Sequence, residues 1–315
     1  MSNRAKGTLC ILMAALSFAL MNTFVRLSGD VPSMQKAFFR NVVAAVFSFI
    51  IMLRNHEAFH PPKKGHWVYL FARAFFGTVG LLCNFYAVDH LNLSDASMLN
   101  KMSPFFAILI SYFLLKEKLN LVQGVSVVAA FLGCLLIIKP NPSNMALVPS
   151  LIGLLGGFGA GVAYSFVRLM SKKGVHSSLI VFVFSTFSCL VCLPYFITVH
   201  APMTTFQFIC LLAAGTFGCT GQFAITSAYR FAPAKEISVY DYTQVVFAAL
   251  LGWVIFGQLP DTYSLLGYII ICGTGIFMFL YQKRHDSPVS ANYISPIFCK
   301  FPGFLRQIVL FFRFL

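Results

Sequence analysis

The chain has 315 residues, of which 58% are hydrophobic and only 10% charged, with a mean hydropathy of +0.80. A soluble domain carries roughly 25% charged residues, so this composition excludes a water-soluble protein with one core and indicates a polytopic membrane protein. The formal charge of +14 would suggest nucleic acid for a soluble chain. Here the basic residues lie in short stretches between apolar runs, where they orient a chain in a bilayer.

Ten apolar runs follow one another, each long enough for roughly 30 Å of hydrocarbon. They are expected near 7–27, 36–54, 66–88, 94–115, 121–138, 149–170, 178–199, 204–229, 235–257 and 262–282. The first spans without a cleavage site after it, so it reads as a helix rather than a signal peptide. The connections are short and contain Gly, Pro, Asn or Asp. One side would hold Arg4 and Lys6, then Arg54, Lys63 and Lys64, then Lys116 and Lys118, then Lys172 and Lys173, then Arg230 and Lys235, and last Lys283 and Arg284. The other would hold Arg26, Lys36 and Lys139. The excess of basic residues on the first side makes it cytoplasmic and places both termini there.

The tetrapeptide Phe-Val-Arg-Leu ends two runs, at 24–27 and 166–169. The same shift puts Ala14, Ala15, Ser17 and Ala19 on Gly156, Gly157, Gly159 and Gly161. A similar shift relates "FFAILISYFLLKEKL" to "VVFAALLGWVIFGQL" and Gly133 to Gly273. The expected architecture is all-α, with ten transmembrane helices in two five-helix repeats. Five is odd, so the second copy enters the membrane inverted, a transporter pattern. The halves are 1–138 and 149–284, joined by an external linker at 139–148 and followed by a tail at 285–315. Arg26 and Arg168 then end on opposite sides, where they cap helix ends and snorkel to headgroups. The tail reads equally as an interfacial helix or a variable extension.

Several stretches carry a resemblance. They are "FFRN" opening the second run, "FARAFFGTVG" in the third, "LNLSDASMLNKMSPFFAILISYFLLKEKL" across the fourth and "FAPAKEISVYDYTQVVFAALLGWVIFGQLP" across the ninth. The chain resembles the ten-helix EamA group of the drug/metabolite transporter superfamily over residues 5–284. The one departure noted is Gly257-Gln258, where the family usually has Gly-Glu. The resemblance implies a basket-like bundle with a central cavity and a small organic metabolite as substrate, amino acid-like or cofactor-like. Small multidrug pumps of the superfamily use a glutamate in the first span, and this first span has no acid.

Charge inside lipid is costly, so ionisable residues within the runs are the functional candidates. Asp241 is the acid expected deep in a span, and Arg73 and Lys101 are the bases, with Arg40 a turn into the second run. Lys101 and Asp241 are repeat mates, each about six residues into its helix. Inversion would set them about 12 Å apart in depth, too far for symmetry alone to pair them. They either bracket a substrate, or neutralise each other or a neighbour after side-chain reach, Arg73 serving Asp241 in the last case. Ser238 and Gln244 share the face of Asp241, flanked by Tyr240 and Tyr242. Pro104 leaves the Asn100 carbonyl without its helical donor, which suggests a ligand group or a hinge. Asn22, Asn84, Tyr164 and Gln222 line the cavity or form interhelical hydrogen bonds. The glycines of "GGFGAG" at 156–161 lack the lysine of a phosphate loop and read as close helix packing.

No metal or cofactor is expected, and the partners are the metabolite and the bilayer, with the chain a monomer or homodimer and no nucleic acid. The favoured function is a secondary transporter in a bacterial inner membrane. A membrane-embedded enzyme or a lipid flippase is the alternative, although no HExxH or paired intramembrane aspartates support an enzyme.

Overall fold

The computed structural model describes residues 3–57, 59, 63–115, 121–139, 146–199, 201–231 and 238–285. Among them are eleven α-helices and a short 3-10 segment, with no strand. The helices are α1 (Asn3–Leu27), α2 (Ser33–Arg54), α3 (His66–His90), α4 (Leu93–Asn100), α5 (Ser103–Leu115), α6 (Leu121–Ile138), α7 (Leu147–Lys172), α8 (Ser177–Thr198), α9 (Thr205–Phe231), α10 (Thr243–Phe256) and α11 (Thr262–His285). The 3-10 segment, Ser238–Tyr242, leads directly into α10. The linker residues 140–145, the tail 286–315, Lys116, Lys118, Lys235 and the side chains of Arg168 and Ser238 lie outside the described residues.

Among the described residues seven helices, α1 to α3, α7 to α9 and α11, are long and apolar enough to cross a membrane. The remaining apolar lengths are shorter for a local reason. The expected run at 94–115 is not one helix: α4 stops at Asn100 and α5 begins at Ser103. Pro104 has no N–H for the carbonyl four residues back. The chain therefore turns at Lys101 and Met102, whose amides reach Ser97 (3.1 Å) and Leu99 (3.2 Å). Pro104 falls in the first turn of the new helix, where the missing donor costs nothing.

Helix pairs build the bundle: α1 on α9, α3 on α7, α2 on α8 and α6 on α11, with α1 also on α10 and α7 on α4 and α5. α2 and α8 are antiparallel. Gln35, at the start of α2, exchanges hydrogen bonds with Ala201 just past α8 (3.0 and 3.1 Å), while Glu57 past α2 accepts from Ser178 at the start of α8. The glycines of α7 serve close packing. A Cβ on Gly159 would stand 2.8 Å from the Phe76 carbonyl oxygen, and one on Gly157 would stand 2.5 Å from that of Leu99. The outward faces are apolar, with Val68, Val254 and Ile269 among the exposed side chains. Lipid tolerates such a surface and water does not.

Arg26 departs from the expectation of snorkelling. It caps the end of α3, donating to the carbonyls of Val88 (2.9 Å) and Leu91, and its guanidinium lies over the Phe256 ring. A carbonyl at a helix C-terminus is within the protein's own reach and carries partial negative charge, so the arginine turns inward.

Candidate functional site: a cationic cavity at two helix breaks

The break between α4 and α5 meets the 3-10 segment that leads into α10. Lys101 stands at the break between α4 and α5, and Asp241 stands in the 3-10 segment before α10. Lys101 Nζ lies 2.6 Å from Asp241 Oδ2, and both side chains are buried. The depth separation expected from straight helices is therefore corrected. Lys101 sits at the break between two helices and Asp241 in the 3-10 segment ahead of α10, and a lysine stem closes several ångströms more. Asp241 keeps its second oxygen, Oδ1, buried without a hydrogen-bond partner, as is the nearby Ser97 hydroxyl.

Beside this pair is a cavity of about 70 Å³. α1 contributes Asn22, α3 contributes Arg73 and Asn84, α7 contributes Tyr164, α9 contributes Gln222 and α10 contributes Gln244. Lys101 and Asn100 line it from the break. The volume is well below the roughly 300 Å³ of a site that encloses a drug-sized ligand. Asn84 donates to Asn22 Oδ1 at 3.2 Å, a bond between α3 and α1 that leaves Asn84 Oδ1 unpartnered.

Two candidates face elsewhere. Tyr240 packs with Ile11 and Ala228 at the periphery. Tyr242 belongs to the main core, where its ring covers Gly275; a Cβ there would stand 2.6 Å from it. In a 3-10 turn residues three apart eclipse, so neighbours of Asp241 point away from its face. Pro104 is half-buried and marks the start of α5 rather than a position inside a helix.

The model of the EamA-like transporter family matches residues 5–139 and 150–312. The chain belongs to the EamA-like transporter family. Among its relatives, the pseudopaline exporter CntI of Pseudomonas aeruginosa is 31% identical over 268 residues, covering 84% of this chain and 93% of the relative. A riboflavin transporter of Vibrio cholerae is 25% identical, covering 89% and 94%. A solved crystal structure superposes with a TM-score of 0.64 at 16% identity, covering 90% of this chain and 99% of the other, which shows a common fold alone. This EamA protein is thus an all-α membrane protein of a small-molecule transporter family.

Phe184 of α8, which the sequence did not single out, lines the cavity beside Asn100 and Arg40 of α2. Arg40 was visible as a base one turn into an apolar run, which is the signal that could have promoted it. Asp95, second residue of the run expected at 94–115, is buried and held by Tyr268 (2.6 Å) and Asn92 (3.3 Å). It lies in the first turn of α4, where a carboxylate suits the helix dipole.

Proposed function

We propose that the protein is a secondary transporter that moves a small organic metabolite across a bacterial inner membrane by alternating access around this cavity. The observation that carries the reading is the polar, partly unsatisfied cavity at a helix break and a 3-10 segment, walled by both halves of the chain. Interrupted helices expose unpaired backbone and side-chain groups at membrane depth only where these face protein or a cavity.

The exchange of halves rests on two features. Replacing each first-half element by its counterpart turns the α1–α9 pairing into α7–α3 and leaves α2–α8 and α6–α11 unchanged. A two-fold axis that swaps two antiparallel helices, as α2 and α8 are, must run perpendicular to them, in the membrane plane. Such an axis describes an inverted repeat of 1–138 on 149–284, whose halves can trade inward-open and outward-open shapes. On this reading the Lys101–Asp241 pair ties the helix break to the 3-10 segment in one state and separates as the halves rock. Asp241 is then the coupling residue, free in other states to take a cation or a proton, with Gln244, Gln222, Tyr164, Asn22 and Asn84 as substrate contacts.

Both termini are assigned to the cytoplasm from the distribution of basic residues. Labelling tests the assignment. An impermeant thiol reagent added to cells should modify Asp30→Cys and spare Lys173→Cys, in a background where native cysteines are replaced. The reverse pattern refutes the orientation. For the transport reading, cells that overproduce the protein should show an altered ratio of external to internal metabolites, and Asp241→Asn should abolish the change. Unaltered export or uptake by Asp241→Asn removes Asp241 from the mechanism.

A further inference from the structure

The cavity holds more positive charge than its partners cancel. Lys101 is neutralised by Asp241. Arg40 and Arg73 are 1% and 3% exposed, and neither forms an ion pair among the described residues. An isolated charge at this depth is expensive, and an unpaired arginine facing a cavity is a ligand site by default.

The way the guanidiniums are held leaves their donors free. Both lie against one ring, with Arg73 Cζ 3.9 Å and Arg40 Cζ 5.6 Å from the Phe184 centroid. A phenyl ring offers no lone-pair acceptor, so this contact leaves the N–H donors without conventional hydrogen bonds. Arg73 Nε and Nη1 have no hydrogen-bond partner, nor has Arg40 Nε. Arg40 Nη1 donates to Asn41 Oδ1 at 2.7 Å and Nη2 reaches the Gly218 carbonyl at a long 3.4 Å, which aims the group without saturating it.

Two glycines make room for this arrangement. A Cβ on Gly77 would stand 2.3 Å from Arg73 Nη1, and one on Gly218 would stand 2.7 Å from Arg40 Nε. The spaces beside both arginines are therefore built by the backbone. Because the two groups share one ring, they are no farther apart than the sum of their distances to it. Two carboxylates of one small organic acid can be set within that bound, and a carboxylate accepts paired bonds from a guanidinium edge.

We propose that the transported substrate class is organic acids with at least two carboxylates, one held by Arg73 and the other by Arg40. This deepens the transport reading and rests on it. Two free cations and two carboxylates cancel, so the loaded cavity carries no net charge when the halves rearrange through the low-dielectric interior.

The test uses the purified full chain in detergent and in proteoliposomes. Succinate and citrate serve as dianionic and trianionic probes, acetate as a single carboxylate, putrescine as a dication and ribitol as a neutral compound, all at matched ionic strength. Succinate and citrate should raise the thermal midpoint saturably, acetate should bind at least tenfold more weakly, and putrescine and ribitol should have no effect. Arg73→Gln should weaken succinate at least tenfold, and Arg73→Lys, which keeps charge but loses the fork, should fall between. Arg40→Gln supplies an independent variant should Arg73→Gln prove unstable on size exclusion. Equal succinate binding in wild type and both glutamine variants overturns the assignment of the site. Stabilisation and flux for putrescine or ribitol, with none for succinate or citrate, overturn the substrate class and leave the transport reading standing. Flux of no compound of any class counts against both.

Discussion

Among the described residues two lysine–aspartate pairs have a buried lysine, and they are built differently. At one end of the bundle Lys36 meets Asp89 at 2.5 Å, and Ser33 also donates to that carboxylate at 3.0 Å. Arg26 close by spends its donors on the end of α3. The charges there are engaged locally between helices α2 and α3. At the centre Lys101 meets Asp241 at 2.6 Å, but Asp241 Oδ1, Ser97 Oγ and the nitrogens of two arginines remain without partners. An ion pair surrounded by satisfied groups is a clasp. One surrounded by unmet hydrogen-bonding capacity leaves work for a ligand, because each unmet buried group costs about 1–3 kcal/mol until something binds it.

The largest expected effect separates the pairs by function. Asp241→Asn should reduce flux by two orders of magnitude or more and lower stability by about 3–5 kcal/mol, since it leaves a buried lysine unpaired. Adding Lys101→Met should restore the thermal midpoint and leave flux lost. If the double variant regains both, the central pair is only a clasp and the contrast with Lys36–Asp89 disappears.

Asp89→Asn should give a contrasting profile. It leaves Lys36, whose side chain is fully buried, without its carboxylate, and should lower stability by about 3–5 kcal/mol, visible as a lower midpoint in thermal unfolding. Flux per folded molecule should stay within about twofold of wild type. A loss of flux comparable with that of Asp241→Asn would show that the outer pair also takes part in the cycle.

The smallest effect belongs to a third pair, Lys139 with Asp261, which is largely exposed. Partial burial pushes the Asp261 carboxyl up, but hydrogen bonds from Lys139 and from Ser264 outweigh it and hold the group below the usual carboxylate range. A depressed carboxylate stabilises the fold above the ordinary range near pH 4, and this contribution is lost as pH falls through the lowered value. Lys139→Gln should therefore change stability by less than about 1 kcal/mol at neutral pH, and the difference from wild type should vanish in acid. A larger change would place this loop contact among the structural clasps.

Much of the fold was legible because lipid imposes long apolar runs. The observed helices follow the expected ones closely, with two exceptions: the run at 94–115 is two helices, and in the run at 235–257 the described residues begin with a 3-10 segment, so that the α-helix starts only at Thr243. The first exception was signalled by Pro104, although the sequence offered it as a ligand group or a hinge and not as the start of a separate helix. Among the candidates, Arg73, Lys101, Asn22, Asn84, Tyr164, Gln222 and Gln244 all reach one cavity. They share the property of being polar where the chain can least tolerate polarity. Tyr240 and Tyr242 were chosen for lying next to Asp241, and neighbours in sequence point to different sides.

By itself the sequence determined the solvent, the run of helices, the family resemblance and the short list of polar residues, because hydrocarbon penalises each such residue one position at a time. Only the tertiary structure decided which of them are neutralised and which are not. Lys101 at its helix break found Asp241 in the 3-10 segment, whereas Arg40 and Arg73 came together on Phe184 without a carboxylate. Partnership of buried charges depends on distances of a few ångströms between helices far apart in the chain, and no local pattern encodes those distances.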